Sequence, residues 1–181
     1  DETRSVAPAT DRARRRVAAE ARLRHFGRHA GARCSVLRIP GIYALDRVGG
    51  DPRERVARGA PVLAAADDVY TNHIHADDLA RACIAALRRG APQRVYHVSD
   101  DGESRMGDHF DRVADLAGLP RPPRLSREEA RTRLSPVQMS FLSELRRLDN
   151  GRMHRELRLA LLHPTVDEAF RSPGGGAASP P

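Results

Sequence analysis

The stretch from Val69 to Ser99 constrains this chain more than any other. Val69-Tyr70-Thr71-Asn72-His73-Ile74 reads as a strand, about Asp77 to Arg89 as a helix, and Arg94-Val95-Tyr96-His97-Val98-Ser99 as a strand. Leu79, Ala82, Cys83, Ala86 and Leu87 recur at the spacing of one helical face. Arg88 and Arg89 suit the negative end of the helix dipole, and Gly90 suits the position just past the end. Strands alternating with helices argue for α/β layers around a mainly parallel sheet.

The rest of the chain continues the alternation. A helix is expected from Thr10 to about His29, capped by Thr10 or Asp11, with Ala13, Val17, Ala21 and Leu23 as its apolar stripe. Cys34 to Ile39 is a strand stopped by Pro40-Gly41, and Asp51-Pro52 starts a short helix. Ser104 is the expected cap of a helix to Ala117. Ser126-Arg127-Glu128-Glu129 is a capping box, and Pro136 to about Arg147 and Gly151 to Leu162 read as helices. The tail from Ser172 is low in complexity and expected to be disordered.

Composition narrows the function classes. All 31 cations are arginine, so no side chain here forms a Schiff base or serves as a phosphate-loop lysine. The net charge of +7 raises nucleic acid as a partner. Against it, the arginines are interspersed with acids, and interleaved stacking aromatics are missing. No apolar run is long enough for a membrane span, and no secretion signal is visible. Cys34 and Cys83 sit in apolar surroundings and read as reduced core residues, which points to the cytoplasm. The first residue is Asp1, and the strands are few for a complete sheet. Both suggest a piece of a larger fold with open strand edges.

Five stretches, in order and at natural spacing, resemble the second half of the extended short-chain dehydrogenases/reductases of the NAD-dependent epimerase/dehydratase type. They are Asp1-Glu2-Thr3 with Pro8, Leu37 to Tyr43, Asn72 to Ala80, Val95 to Asp100, and Leu148 to Leu157 with Pro164. The most specific is Asn72-His73-Ile74-His75-Ala76-Asp77-Asp78-Leu79-Ala80. The resemblance implies the last part of a Rossmann-like NAD(P) domain in residues 1–49. It implies a smaller α/β substrate-binding subdomain in 50–171, with about 76–100 returning to the Rossmann-like sheet, and a disordered tail in 172–181.

The resemblance also assigns roles. Pro8 to Glu20 matches the family's active-site helix, but Arg12 stands at its tyrosine and Arg16 at its lysine. Arginine stays protonated, with a pKa above roughly 12, so Arg12 cannot shuttle a proton, whereas Arg16 keeps the charge that bonds the nicotinamide ribose. Arg16, Pro40, Gly41 and Ile42 are the implied cofactor contacts; Tyr43, His75 and Arg152 are the implied substrate contacts. The family's glycine fingerprint is not found in these residues and is expected upstream of Asp1.

The expected function is that of an NAD- or NADP-dependent epimerase/dehydratase-like oxidoreductase on a small polar, sugar-derived substrate, with no nucleic acid or membrane partner and a homodimer allowed. The alternatives are a non-catalytic NAD(P)-binding sensor or scaffold, and an arginine-rich nucleic-acid-binding module. His73 and His75 share a strand face, yet no metal is expected: His75 and Asp77 are read as fixing the strand-to-helix turn, with Asp77 as cap. Arg38, inside an apolar strand, should meet a carboxylate. Asp100, Asp101 and Glu103 read as a solvated acidic turn.

Overall fold

The strand–helix–strand unit around Asp78 forms the centre of the structure, a computed structural model that describes residues 1–143 and 147–172. In chain order the first elements are α1 (Asp11–His29), β1 (Ser35–Arg38), β2 (Gly41–Tyr43), α2 (Pro52–Ala57), β3 (Val62–Leu63), β4 (Tyr70–Thr71) and β5 (His73–His75). There follow α3 (Ala76–Arg89), β6 (Arg94–His97), β7 (Ser104–Arg105), α4 (Met106–Ala117), β8 (Arg124–Leu125), α5 (Arg127–Arg133) and α6 (Pro136–Ser143). A π-helical turn (Met153–Leu157) and α7 (Val166–Arg171) complete the described chain.

Strands pair two by two among the described residues. β1 lies parallel to β6, β2 to β5 and β3 to β8, while β4 and β7 are antiparallel. Val36 faces Val95 and Ile42 faces Ile74. Residues beyond β6 stitch the first two pairs together: Val98 N donates to the Arg38 carbonyl at 3.0 Å and Asp100 N to that of His73 at 2.8 Å. The expected α/β class with parallel pairing is what forms.

Local chemistry explains the ends of α3. His75, not Asp77, is the cap: its Nδ1 accepts from Asp77 N at 3.3 Å. Gly90 closes the helix against β1, where a Cβ would run into Ser35 Oγ and the Ala86 carbonyl. The buried side of α3 is Asp78, Ala82, Ala85 and Ala86. These alanines join Ile74, Tyr96, Val98, Met153 and Leu157 in one apolar cluster. A second cluster joins Tyr43, Val56, Val113 and Ala114 to Val166 and Ala169, and a third holds Leu63, Leu125, Ala130 and Leu142.

Asp78 is fully buried and carries the contact between α3 and the C-terminal segment. Its two oxygens accept from Leu162 N and His163 N, each at 2.8 Å, and Arg81 Nη1 donates to it at 3.0 Å. Arg81 also donates to the Ala160 carbonyl at 2.7 Å. A carboxyl group this deep is tolerated because both of its oxygens are hydrogen-bonded.

Several expectations shift. Cys83 and Leu87 face outward, because α3 turns its alanine side to the sheet; Leu87 is 86% exposed. Both cysteines are free, but Cys34 is half-buried and Cys83 exposed, so neither is a core residue. The α1 stripe is not buried either: of its residues only Gly27 is, beneath Gln93. Ser104 lies in β7 and Arg105 precedes α4 without a side-chain cap. Met153 to Leu157 form a π-turn rather than a long helix. It ends at Arg158 in the left-handed region, with Arg89 donating to the Leu157 carbonyl. The α6 helix runs from Pro136 to Ser143. Ser172 caps α7, while residues 173–181 of the expected disordered tail lie outside the described residues.

Asp78→Ala should orphan the buried His163 N–H and the part-buried Leu162 N–H and cost roughly 2–4 kcal/mol in denaturant unfolding. Asp77→Ala, at an exposed neighbour, should cost less than about 1 kcal/mol.

Candidate functional site

One ion pair sets a wall of a cavity at the end of β1. Arg38, half-buried in β1, donates to Glu20 of α1 through Nε at 3.0 Å and Nη2 at 2.7 Å. This forked bond confirms the expected carboxylate partner and docks one face of α1 on the sheet. Arg12, Arg16 and Glu20 are four residues apart, so they share that face. The docked face therefore carries both arginines to the end of β1.

There they meet a cavity of about 330 Å³. Arg12 and Arg16 form one side, and Ile39, Pro40 and Gly41 the turn between β1 and β2. Thr71 and His73 contribute from the sheet, Arg55 from α2, Phe110 from α4, and Gln138, Phe141 and Leu142 from α6. No carboxylate lines it among the described residues. Gly41 matters sterically: a Cβ there would meet His73 Cδ2 at 2.9 Å.

The guanidiniums are differently held. Arg12 donates to Ser140 Oγ at 3.3 Å and lies 4.9 Å from the Phe141 ring centre. Arg16 is exposed. Arg55 donates to the Pro61 carbonyl at 3.0 Å and stacks 4.8 Å from the Phe110 ring centre. Its Nε is hidden without a partner. Burial, and then Arg58, lower the Arg55 pKa, but a guanidinium remains charged.

Behind His73 lies a second polar pocket of about 240 Å³, shared with Asp100, His109 and Arg112. His73 stacks on His109 with ring centres 3.9 Å apart and planes 18° apart. Burial holds His109 down at about 4. Asp100 is buried rather than solvated, as its backbone completes the β5 edge. Burial, reinforced by Asp101, pushes its carboxyl up to about 8 despite a bond from Gly102 N at 3.2 Å.

The other expected contacts lie elsewhere. Ile42 is in β2, 37% exposed and off the cavity wall. Tyr43 is a core residue, 4% exposed, its hydroxyl hidden without a partner and its pKa raised chiefly by burial. His75 is buried at the α3 cap, its ring 3.9 Å from that of His163. Arg152 donates to the Val95 carbonyl at 2.8 Å and lies 3.6 Å from Glu2, whose carboxylate accepts from His97 N. It is a strut between β6 and the N-terminal loop. His75, Asp77 and His163 bring one potential metal-ligand atom each within 4.8 Å of one another. Hydrogen bonds already use two of the ring nitrogens: His75 Nδ1 caps α3 and His163 Nδ1 meets Ser172 Oγ at 3.3 Å. Arg55 and Phe141, both central to the cavity, carry no recognisable motif. Only the absence of a carboxylate partner among the described residues marks Arg55, and that shows in three dimensions alone.

Of the nicotinamide contacts that the resemblance implies, Arg16, Pro40 and Gly41 line the cavity and Ile42 does not. The pyrophosphate needs a glycine loop at a helix start, which these 181 residues do not contain.

The two shifted groups predict opposite pH dependences. His109 is neutral when folded and takes up a proton on unfolding below its ordinary 6.5, so stability falls as pH drops from there toward 4. Asp100 is protonated when folded and releases that proton on unfolding above its ordinary 3.8, so stability also falls as pH rises toward 8. Thermal midpoints should therefore decline between about pH 6.5 and 8, and Asp100→Asn should flatten that decline. A decline unchanged in the variant would assign it to other groups.

No protein-family model matches the sequence, and no curated protein does. Solved structures do match. A functionally unknown conserved protein from Silicibacter pomeroyi is 30% identical with a TM-score of 0.81, over 94% of this chain and 58% of that one. A nucleoside-diphosphate-sugar epimerase from Pseudomonas aeruginosa is 21% identical with a TM-score of 0.72, over 93% and 56%. A dTDP-glucose 4,6-dehydratase from Streptomyces venezuelae, solved with NAD and TYD bound, is 16% identical with a TM-score of 0.67, over 92% and 51%. The chain thus spans just over half the length of each. No helix among the described residues is long and apolar enough to cross a membrane. The chain thus shares the Rossmann-type α/β fold of a nucleoside-diphosphate-sugar epimerase and a dTDP-glucose 4,6-dehydratase over just over half of their length.

Proposed function

We propose that this chain forms the substrate-side part of an NAD(P)-dependent epimerase/dehydratase-like oxidoreductase acting on a small polar, sugar-derived molecule. One observation carries the reading. Of the five residues the resemblance gives to catalysis and cofactor, Arg12, Arg16, Pro40 and Gly41 share a single cavity with Arg55, Phe110 and Phe141, and Ile42 lies outside it. The part up to residue 49 then supplies the nicotinamide side, and residues 50–171 supply the substrate side. In such proteins the bound dinucleotide supplies hydride chemistry. Arg16 holds its ribose, the Pro40-Gly41 turn sets the ring's position, and the aromatic walls exclude water.

Proton transfer is the step these residues do not serve. Arg12 and Arg16 remain cations at any physiological pH, so neither gives up a proton. This supports a second reading, a non-catalytic sensor that binds the same dinucleotide and reports it.

Titration of the full natural chain with NADH and NADPH tests the shared part of both readings. Binding of one of them should weaken about tenfold in Arg16→Ala and persist in Arg16→Lys. Failure of the unaltered protein to bind either dinucleotide would contradict both. Absorbance change on adding sugar-nucleotide substrates favours the oxidoreductase, and dinucleotide binding without turnover favours the sensor.

A further inference from the structure

A proton carrier is needed wherever a hydroxyl and a carbonyl interconvert, and the arginines of the cavity cannot be one. Among the described residues, no carboxylate, tyrosine, cysteine or lysine lines it either. His73 is the one histidine of its walls, and histidine is the side chain that ordinarily gains and loses a proton near neutral pH. The resemblance assigns His73 no role. Its neighbours hold the ring in place. It stands opposite Gly41 across the β2–β5 pair. A Cβ at Gly41 would stand 2.9 Å from His73 Cδ2 and 3.6 Å from Nε2, so glycine leaves that ring edge bare at the turn that walls the cavity. One face of the ring stacks on His109 of α4, with planes 18° apart. Tyr43 stands at right angles to it, ring centres 6.3 Å apart. Burial holds His109 down at about 4, so a charged His73 ring meets no second cation across the stack at neutral pH.

We infer that His73 is the acid–base residue of this cavity, taking the proton of a substrate hydroxyl at Nε2 and returning it. The inference rests on the oxidoreductase reading of the cavity and supplies the proton step that Arg12 cannot serve. The step balances: the hydroxyl O–H bond breaks, an N–H bond forms at Nε2, and the electron pair stays on oxygen. Neutral imidazole becomes imidazolium, and the cations lining the cavity favour the negative oxygen left behind. A ring fixed by a stack and a strand register is already oriented for such a transfer. Several charged or titratable groups surround it. Arg12, Arg16 and Arg55 line the cavity. Asp100, Asp101, Glu103, Arg112 and Asp167 line the inner pocket that His73 shares. Together with Tyr43 and His109 they set the pH at which the ring changes charge.

Nuclear magnetic resonance of the full natural chain gives a readout that needs no turnover. The ring C2–H signal of His73, assigned by its loss in His73→Phe, should move with pH between about 5 and 8 and shift when NADH or NADPH binds. With dTDP-glucose or UDP-glucose and the oxidised dinucleotide, kcat/KM should rise with pH at the same midpoint. His73→Phe keeps a ring against His109 without a ring nitrogen, and His73→Gln loses the ring. Both should lower kcat about 100-fold or more and bind NADH or NADPH as the unaltered protein does. Added imidazole should restore turnover in His73→Ala, which leaves room for it. Undiminished turnover in His73→Phe would overturn the inference and leave the oxidoreductase reading standing. So would a ring signal that neither pH nor dinucleotide moves. Dinucleotide binding with turnover of neither sugar nucleotide would overturn the oxidoreductase reading, and the inference with it.

Discussion

The buried carboxylate of Asp78 is the constraint on which the rest of the arrangement hangs. It ties the first turn of α3 to the backbone at Leu162 and His163. That contact brings the C-terminal segment over the sheet, where Leu157 and Leu159 close the first apolar cluster and Val166 enters the second. With α3 so held, β5 lies beside β2, and His73 stands opposite Gly41. The cavity wall is built from that pair. A surface ion pair contributes little, but a carboxylate whose acceptors are all used inside the fold fixes geometry.

The second determinant is the Glu20–Arg38 pair. α1 buries little apolar surface, so packing alone does not set its rotation. A forked bond from one glutamate to a strand arginine does, and helical spacing then delivers Arg16 and Arg12 to the cavity. Arginine where the related folds are expected to carry tyrosine and lysine changes what the place can do. A tyrosine–lysine pair moves a proton. Two guanidiniums bind an anion and move none.

The crossover and most helix starts were legible in the sequence because local chemistry determines them. The Thr10 cap, the Asp51-Pro52 start and the Ser126–Glu129 capping box all form as read. So does a carboxylate for Arg38, since a lone cation in a strand is too costly. What was not legible depended on tertiary neighbours. Small alanines, not the larger Cys83 and Leu87, face the sheet because α3 approaches it closely. Asp100 is buried because its strand continues past β6 to pair with His73. Tyr43 and Arg152 were expected to face a substrate from their place in the motifs, but their side chains are taken up by the core and by Glu2. Arg55 had no motif to mark it, since a charge becomes conspicuous only when its partners can be counted.

The most direct measurement of the central claim is the nuclear magnetic resonance signal of the arginine side-chain Nε–H groups. The Arg16 and Arg55 signals can be assigned by Arg16→Lys and Arg55→Lys. Titrating NADH or NADPH into the full natural chain should shift both signals together with those of the Gly41 and His73 amides. Shifts confined to arginines outside the cavity, such as those of the α1 surface at Arg14 and Arg15, would contradict the assignment of this cavity as the functional site.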